Sequence, residues 1–411
     1  FKILGKAPRV TRLNEPQHYF LTVAVENDIR FFEYFGEESI HKHTQFVLTT
    51  HTPERAALPV YDNLWWLREN IGYDLVPDET IDNGVVDLAR NLAKNPKVYV
   101  INGVSREHAQ VTKIAVLPDF SYKIISITNG SDPQLWKSDD LKELEKRRNV
   151  TGKDLFNIGK KSKERLQSFL KERLNKEFSD LNRPLVGLVR RLVAYKEQRI
   201  LFEILPIIVG ERRRFYRTPW GTEEEGLGMN VLIGGVGRDD VGRDWVRKFK
   251  ELSEQEDFRG RLIFIDGSGI DIMRLATQSS DIWVSMPRPT REACGTSDER
   301  AAFNGHINIA TKTGGPIEYI EDGINGWLID VFSYRYEIES LNRFLQQLQL
   351  PEDENERFKE IVYRFDANHP RHQEIVEFYR RASQYILFQY LKKASRLYYG
   401  YIEGKDNTWI E

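Results

Sequence analysis

The chain has 411 residues, of which 40% are hydrophobic and 30% charged, and its formal net charge is -2. This balance gives no electrostatic case for nucleic acid or an anionic membrane surface, and no apolar run approaches the roughly 18 residues of a membrane-spanning helix. One cysteine, Cys294, excludes an internal disulfide framework and favours a reducing compartment. We therefore predict a cytoplasmic protein without a secretory signal, a nucleic-acid partner or a membrane partner.

The first part of the sequence alternates between strand and helix patterns. Such alternation is typical of a parallel sheet with helices on both faces. The predicted strands are 46–50, 97–103 and 122–130, and the predicted helices are 85–95 and 105–117.

A second alternating block follows a polar, lysine-rich stretch at about 137–182, whose periodicity predicts a linker helix. Residues 353–411 have helical patterns rich in tyrosine and charge. The predicted strands of this block are 184–192, 229–237, 260–267, 281–287 and 306–315, and a helix is predicted over 195–209.

These patterns predict an α/β protein with two doubly wound, Rossmann-like domains and a C-terminal helical segment. Ligands of such sheets bind outside the carboxyl ends of the strands, so we expect a cleft between the domains. The predicted ranges are 1–140 for the first domain, 141–182 for the linker, 183–345 for the second domain, and 346–411 for the C-terminal helices.

Chemically versatile residues follow several of the predicted strands. His51 follows 46–50, and Arg191 and Lys196 follow 184–192. Arginine offers a planar fork of donors to a phosphate, and lysine adds a mobile charge. The alternative is that these two residues are solvated charges at a helix start.

A glycine-containing turn, Cys294-Gly295-Thr296-Ser297, precedes a predicted helix. Free backbone N–H groups at a helix N-terminus favour anions. Acidic residues in the first turn suit the same dipole, so a capped structural helix explains the pattern equally well.

Several familiar site patterns are missing from the sequence. Residues 234–242, GGVGRDDVG, follow a predicted strand, but their spacing does not fit a dinucleotide-binding loop, and a flexible loop is the better interpretation. The sequence has no Cys/His zinc pattern, nucleophile elbow or Walker loop. We predict no metal site.

Taken together, six segments resemble the α-glucan (glycogen, starch and maltodextrin) phosphorylase family, which has the retaining GT-B glycosyltransferase fold. They follow the family's order along most of the chain, and the order makes the resemblance specific. The segments are RLNEPQ (12–17), TTHTPE (49–54), VINGVSREH (100–108), ITNGSDPQLW (127–136), VRRLVAYKEQ (189–198) and REACGTSDERAAFNG (291–305).

The resemblance implies roles for individual positions. Arg191 and Lys196 would bind the phosphate at the sugar's anomeric carbon, and Glu292 would accept a hydrogen bond from a sugar hydroxyl. These are the candidate catalytic residues. The implied substrate-binding residues are His51, Asn129 and Tyr195 around the sugar, and the backbone at Gly295 and Thr296.

Arg300 departs from the phosphorylase pattern. It stands where the family's lysine forms a Schiff base with pyridoxal phosphate. A guanidinium stays protonated and forms no such imine. We therefore expect no pyridoxal phosphate, and we assign Arg300 to the phosphate of a donor.

Residues 313–329, TGGPIEYIEDGINGWLI, resemble nucleotide-sugar transferases such as glycogen synthases instead. There Gly314 and Gly315 would approach the donor phosphates, and Glu318 would bind the ribose. The implied donor is a nucleotide sugar such as UDP-glucose or ADP-glucose.

A full GT-B first domain would carry further strands before residue 12. This predicts a fragment, a degenerate domain, or a second chain that supplies the rest; a homo-oligomer is another option.

Three functions remain open. The first is a glycogen synthase-like retaining glucosyltransferase that extends an α-1,4-glucan. The second is a phosphorylase that releases glucose 1-phosphate, and the third is a non-catalytic glucan-binding subunit.

Overall fold

The computed structural model describes residues 8–27, 44–54, 58–267 and 269–406. Its residues group into two compact units. The first comprises the described residues up to Asn129 together with Thr290–Cys294, and the second comprises Gly130–Pro289 and the described residues from Gly295 onward.

The first unit is built on a parallel sheet in the order β1-β2-β5-β6. A short antiparallel pair, β3 with β4, lies beside it. The strands are β1 (Val10–Asn14), β2 (Gln45–Thr50), β3 (Val60–Tyr61), β4 (Val86–Asp87), β5 (Val98–Gly103) and β6 (Ile124–Ser126), and the helices are α1 (Tyr19–Asn27), α2 (Leu64–Ile71), α3 (Leu88–Lys94) and α4 (Arg106–Val111).

Apolar side chains of adjacent strands form the core of this unit. Leu13, Phe46, Leu48 and Ile101 are fully buried there. The helices begin at side-chain caps: Asp87 accepts from Arg90 N before α3, and Ser105 accepts from His108 N before α4. Such caps satisfy the unpaired N–H groups of a first turn.

The second unit is built on a parallel sheet in the order β11-β10-β7-β12-β13-β14. The small β8–β9 pair is antiparallel. The strands are β7 (Leu185–Val189), β8 (Phe215–Arg217), β9 (Glu223–Glu225), β10 (Asn230–Gly235), β11 (Leu262–Asp266), β12 (Ile282–Ser285), β13 (Ile307–Thr311) and β14 (Gly326–Ile329).

Helices cover this sheet and extend beyond it. They are α5 (Pro133–Trp136), α6 (Asp139–Leu144), α7 (Gly152–Leu174), α8 (Gln198–Phe202), α9 (Leu205–Val209), α10 (Asp240–Glu254), α11 (Ile270–Ser279), α12 (Ser297–Ala302), α13 (Pro316–Tyr319), α14 (Glu339–Leu348), α15 (Glu354–Arg364) and α16 (His372–Ile402).

The central strand β7 reads LVGLV, and all five of its residues are buried. This continuous apolar run is typical of a parallel strand covered on both faces. A Cβ at Gly187 would lie 2.1 Å from the Ser280 hydroxyl oxygen and 2.8 Å from the Trp283 ring, so only glycine lets these groups pack against the strand.

The predicted linker helix exists as α7, which begins at a capping box between Thr151 and Asp154 and ends at left-handed Asn175. The helix predicted over 195–209 is instead divided into a 3-10 turn, α8 and α9. Glu197 in the left-handed conformation and Pro206 in the first turn of α9 divide it. The last helix, α16, buries one face, including Tyr379 and Phe388, in the core of the second unit.

Candidate active site

The carboxyl ends of β7, β12 and β13 meet at one edge of the second unit's sheet, because these three strands are neighbours and parallel. The predicted phosphate-binding residues Arg191 and Lys196 follow β7. The predicted Gly314, Gly315 and Glu318 follow β13. The topology therefore brings both groups to the same edge, as expected for a ligand site in a doubly wound sheet.

The segment after β7 has buried and exposed cations. Lys196 is only 8% exposed, and its Nζ atom lies 5.1 Å from the centroid of the Tyr195 ring. Arg191 is exposed, whereas its neighbour Arg190 is buried and donates from Nη1 to Ser285 Oγ over 3.3 Å. Arg190 thus anchors the segment to β12, and Arg191 is the accessible one of the two arginines.

Glu197 is a residue that sequence reasoning missed. It is buried, has φ 49°, and its carboxylate pairs with Arg288 and Arg380. Arg288 also donates from its backbone N–H to Tyr195 O over 2.8 Å. The partners lie 91 and 183 residues away in sequence, so no local pattern could have indicated them.

The segment before α12 is shared between the two units. Gly295 and Thr296 lie in the second unit just before α12, and the Thr296 side chain makes no capping bond. Asp298, in the first turn, is fully buried and accepts from the Tyr319 hydroxyl over 2.6 Å. Asp298 therefore has a structural role in α12.

Arg300 lies against an aromatic ring. Its Cζ atom is 3.9 Å from the centroid of the Trp136 ring. Burial lowers the pKa of the guanidinium, and the nearby charges of Glu299 and Asp298 oppose this change. Its Nε atom is buried and has no hydrogen-bond partner among the described residues.

The carboxamide of Asn304 fixes the same corner. It donates to the carbonyl oxygens of Trp136 and Arg300 over 3.1 and 2.9 Å, and it accepts from Ser138 N over 2.9 Å. Asn304 thus links the backbone of Arg300 to that of Trp136. A guanidinium does not form the imine of a covalently bound pyridoxal phosphate.

The glycines after β13 occupy a tight turn. Gly314 has φ 66°, a value that favours glycine, and both Gly314 and Gly315 are buried. Glu318 is half-buried in α13, and its backbone N–H donates to Gly315 O over 2.8 Å.

Polar residues lie at the carboxyl ends of the strands in the first unit's sheet. His51, after β2, has Nδ1 2.8 Å from Glu15 Oε1, and Glu15 follows the neighbouring β1. Asn129, after β6, is half-buried, and its backbone N–H donates to Val104 O over 3.0 Å. Sequence reasoning missed Glu15, although it lies in the RLNEPQ segment of the resemblance.

Residues Thr290–Cys294 pack with this first unit. The predicted ranges had put them in the second domain. Two contacts explain the difference: Arg291 pairs with Glu54 at 2.7 Å, and the Ser105 hydroxyl donates to Ala293 O over 2.5 Å. Glu292, between them, is 8% exposed and so is held in this unit.

His108 is a buried, neutral histidine of the same edge. Its Nδ1 accepts from Val104 N over 3.1 Å. Burial lowers its pKa to about 4; the backbone of Thr52 opposes this shift most, and the charges of Glu15 and Glu292 oppose it less. We assign it a structural role that orders the turn after β5.

The described ranges carry neither a membrane-spanning helix nor a metal-binding cluster. No helix there is both long and apolar enough to span a membrane. No cluster of three or more histidine, cysteine or acidic side chains in those ranges suits a metal ion.

Similar proteins agree with this architecture, although no protein-family model matches the chain. A maltodextrin phosphorylase from Thermococcus litoralis is 22% identical over 406 aligned residues, covering 83% of this chain and 45% of that protein. A glycogen phosphorylase from Aquifex aeolicus is 24% identical over 352 residues, covering 71% and 47%. A sucrose synthase from Acidithiobacillus caldus is 32% identical over 133 residues, covering 29% and 16%.

Among solved structures, the catalytic domain of starch synthase IV from Arabidopsis thaliana, bound to ADP and acarbose, matches with a TM-score of 0.58 at 18% identity. The match covers 93% of this chain and 74% of that chain. The protein therefore has the GT-B glycosyltransferase fold. Its homologues are glycogen and maltodextrin phosphorylases at low identity. Both predictions from the sequence are confirmed, and the chain spans less than half of either phosphorylase.

Proposed function

We propose that the protein is a retaining glucosyltransferase of α-glucan metabolism. It would move glucose from a nucleoside diphosphate glucose to the nonreducing end of an α-1,4-glucan such as glycogen. The starch synthase of similar fold was solved with ADP and acarbose, which supports a nucleotide donor and a glucan acceptor here. The single cysteine supports a cytoplasmic location.

The observation that carries the proposal is Arg300. By the resemblance it stands at the Schiff-base position of the phosphorylases, and its guanidinium lies on the Trp136 ring. Without a covalent cofactor phosphate, a substrate would supply the phosphate at this site. A nucleotide sugar supplies one, and Arg300 would add charge beside it.

The remaining phosphate ligands follow β7. Arg191 and Lys196 would stabilise the leaving phosphate as the anomeric C–O bond breaks. An oxygen of that phosphate would take the proton of the acceptor hydroxyl on the same face of the sugar. The configuration at the anomeric carbon is then retained without a protein nucleophile, in keeping with the absence of a paired-carboxylate arrangement in the sequence.

The other predicted residues would position the sugar and the nucleotide. Asn129, Glu292, Tyr195 and His51 would surround the glucose. The backbone at Gly295, Thr296, Gly314 and Gly315 would approach the phosphates, and Glu318 the ribose. The second unit would bind the donor.

Transfer of labelled glucose tests the function. Purified protein is incubated with glycogen and either UDP-glucose or ADP-glucose labelled in the sugar. We expect labelled glycogen and free nucleoside diphosphate in equal amounts, and at least a hundredfold loss of rate in Lys196→Ala. Absence of transfer from both donors would contradict the proposal.

A glucan phosphorylase is the second candidate, because the relatives that cover most of this chain are phosphorylases. It would require inorganic phosphate as acceptor and a phosphate or pyridoxal phosphate bound without a covalent link. Glucose 1-phosphate formed from glycogen and phosphate would favour it.

A further inference from the structure

A cavity of about 370 Å³ lies in the second unit between α7, α16 and residues 181–182. Its lining includes none of the residues of the candidate active site. The cavity is therefore separate from the candidate active site.

One face of α7 forms a wall of this cavity. Lys153, Phe156, Lys160 and Lys163 line it, and their spacing of three, four and three residues places them along one side of the helix. Lys163 already forms an ion pair and a hydrogen bond. Its Nζ lies 2.5 Å from Asp281 Oδ2 and donates to the Tyr398 hydroxyl over 3.0 Å.

The charge of the lining is positive. Asp281 supplies the carboxylate of the lining, and Lys163 neutralises it. Lys153 and Lys160 are exposed, and neither forms an ion pair with another described residue. Two ammonium groups thus remain to attract an anion into the cavity.

Aromatic rings form the other part of the wall. The Phe156 ring lies 4.8 Å from the Tyr401 ring and 5.9 Å from the Tyr398 ring, measured between centroids. Rings of this kind pack against the planar base or the apolar face of a sugar. The cavity volume lies within the range of small-molecule sites.

We propose that this cavity binds a small phosphate ester. Its phosphate contacts Lys153 and Lys160, and its sugar or base ring packs against Phe156 and Tyr401. Lysine suits a phosphate as a mobile point charge, and the paired Lys163–Asp281 group forms the floor. The proposal does not depend on the proposed transferase activity.

Calorimetric titration of the full chain tests it with three probes: AMP, ribose 5-phosphate and inorganic phosphate. AMP contains a base in addition to a ribose 5-phosphate group, whereas inorganic phosphate contains neither a base nor a sugar ring. We expect at least one ester to bind at least tenfold more tightly than phosphate. The stronger ester tells whether base or sugar provides the ring contact.

Matched variants assign the binding to the cavity. Lys160→Glu should weaken the ester at least tenfold, whereas Lys161→Glu, an exposed neighbour outside the lining with the same charge change, should leave it unchanged. Lys196→Ala should also leave it unchanged, because that residue belongs to the candidate active site. Equal binding by wild type and Lys160→Glu, loss in Lys196→Ala, or no binding of either ester would overturn the proposal.

Discussion

Glu197 Oε1 accepts two hydrogen bonds from Arg288, at 3.1 Å from Nε and 2.5 Å from Nη2. The residue directly precedes α8 and directly follows Lys196. Its second oxygen accepts from Arg380 Nε over 3.2 Å. A buried carboxylate between two arginines therefore holds the turn that carries the proposed phosphate-binding lysine.

Loss of the Glu197 carboxylate should destabilise the second unit strongly. Glu197→Ala leaves Arg288 and Arg380, both half-buried, without their shared partner, although Arg380 keeps its pair with Glu377. Breaking a buried pair by removing one partner costs about 3 kcal/mol. Denaturant unfolding measures it. The control is Glu339→Ala, which breaks the exposed Arg343–Glu339 pair and should cost at most about 0.5 kcal/mol. Equal, small losses in both variants would contradict the role given to Glu197.

We expect the Arg300–Trp136 contact to support activity by helping to bind the donor nucleotide sugar. Arg300→Ala removes the charge over the ring, and we expect the KM for the nucleotide sugar to rise at least tenfold. Trp136→Leu should raise it less, because the charge stays. Initial rates over a range of donor concentrations measure both. An unchanged KM in Arg300→Ala would restrict Arg300 to packing.

The backbone conformation of Glu15 can be tested with a matched pair of variants, Glu15→Gly and Glu15→Ala. Glu15 has φ 90° and ψ 153°, a conformation that glycine adopts readily and other residues do not. Glu15→Gly should therefore be about 1 kcal/mol more stable than Glu15→Ala. Both variants lose the contact with His51, so both should lose activity to the same degree. Thermal unfolding and transfer rates check the two halves of this prediction; a Glu15→Gly variant with full activity would contradict it.

Two buried histidines should make the protein less stable in mild acid. Burial lowers the pKa of His108 to about 4, and the same cause lowers the pKa of His306, whose Nε2 contacts Thr277 O at 2.6 Å, to about 4. Between pH 6.5 and 4 the unfolded chain binds protons that the folded chain does not. Stability then falls as pH falls through that window, by roughly 1.4 kcal/mol per pH unit for each histidine.

Unfolding free energies measured at pH 7.0, 6.0 and 5.0 test this dependence. His306→Gln should keep a hydrogen bond to Thr277. It should reduce the slope of the unfolding free energy against pH by the contribution of one histidine, roughly 1.4 kcal/mol per pH unit. A slope identical to that of the wild type would show that His306 does not carry the effect.

Local patterns predicted much of this architecture. The sequence of β7 predicts a buried strand because all its residues are apolar or glycine. The helical periodicity of the polar stretch predicts α7, which begins at a capping box. The resemblance then predicted the GT-B fold, which is confirmed. The sequence could not predict what depends on distant partners. Thr290–Cys294 joins the first unit through Glu54 and Ser105, which no local pattern links to it.

The same limit applies to the candidate site. The resemblance assigned Arg191 to the phosphate, but the sequence could not show that Arg190 is buried against Ser285 while Arg191 is exposed. Arg300 was singled out by its place in a motif, but its contact with Trp136 joins residues that are far apart in the sequence, so only the fold shows it.

The most direct test measures the products of one purified preparation with glycogen in two parallel reactions. One contains UDP-glucose and ADP-glucose, and the other contains phosphate with or without pyridoxal phosphate. The account predicts release of nucleoside diphosphate in the first and no glucose 1-phosphate in the second. Glucose 1-phosphate formed in the second reaction, without nucleotide release in the first, would contradict it.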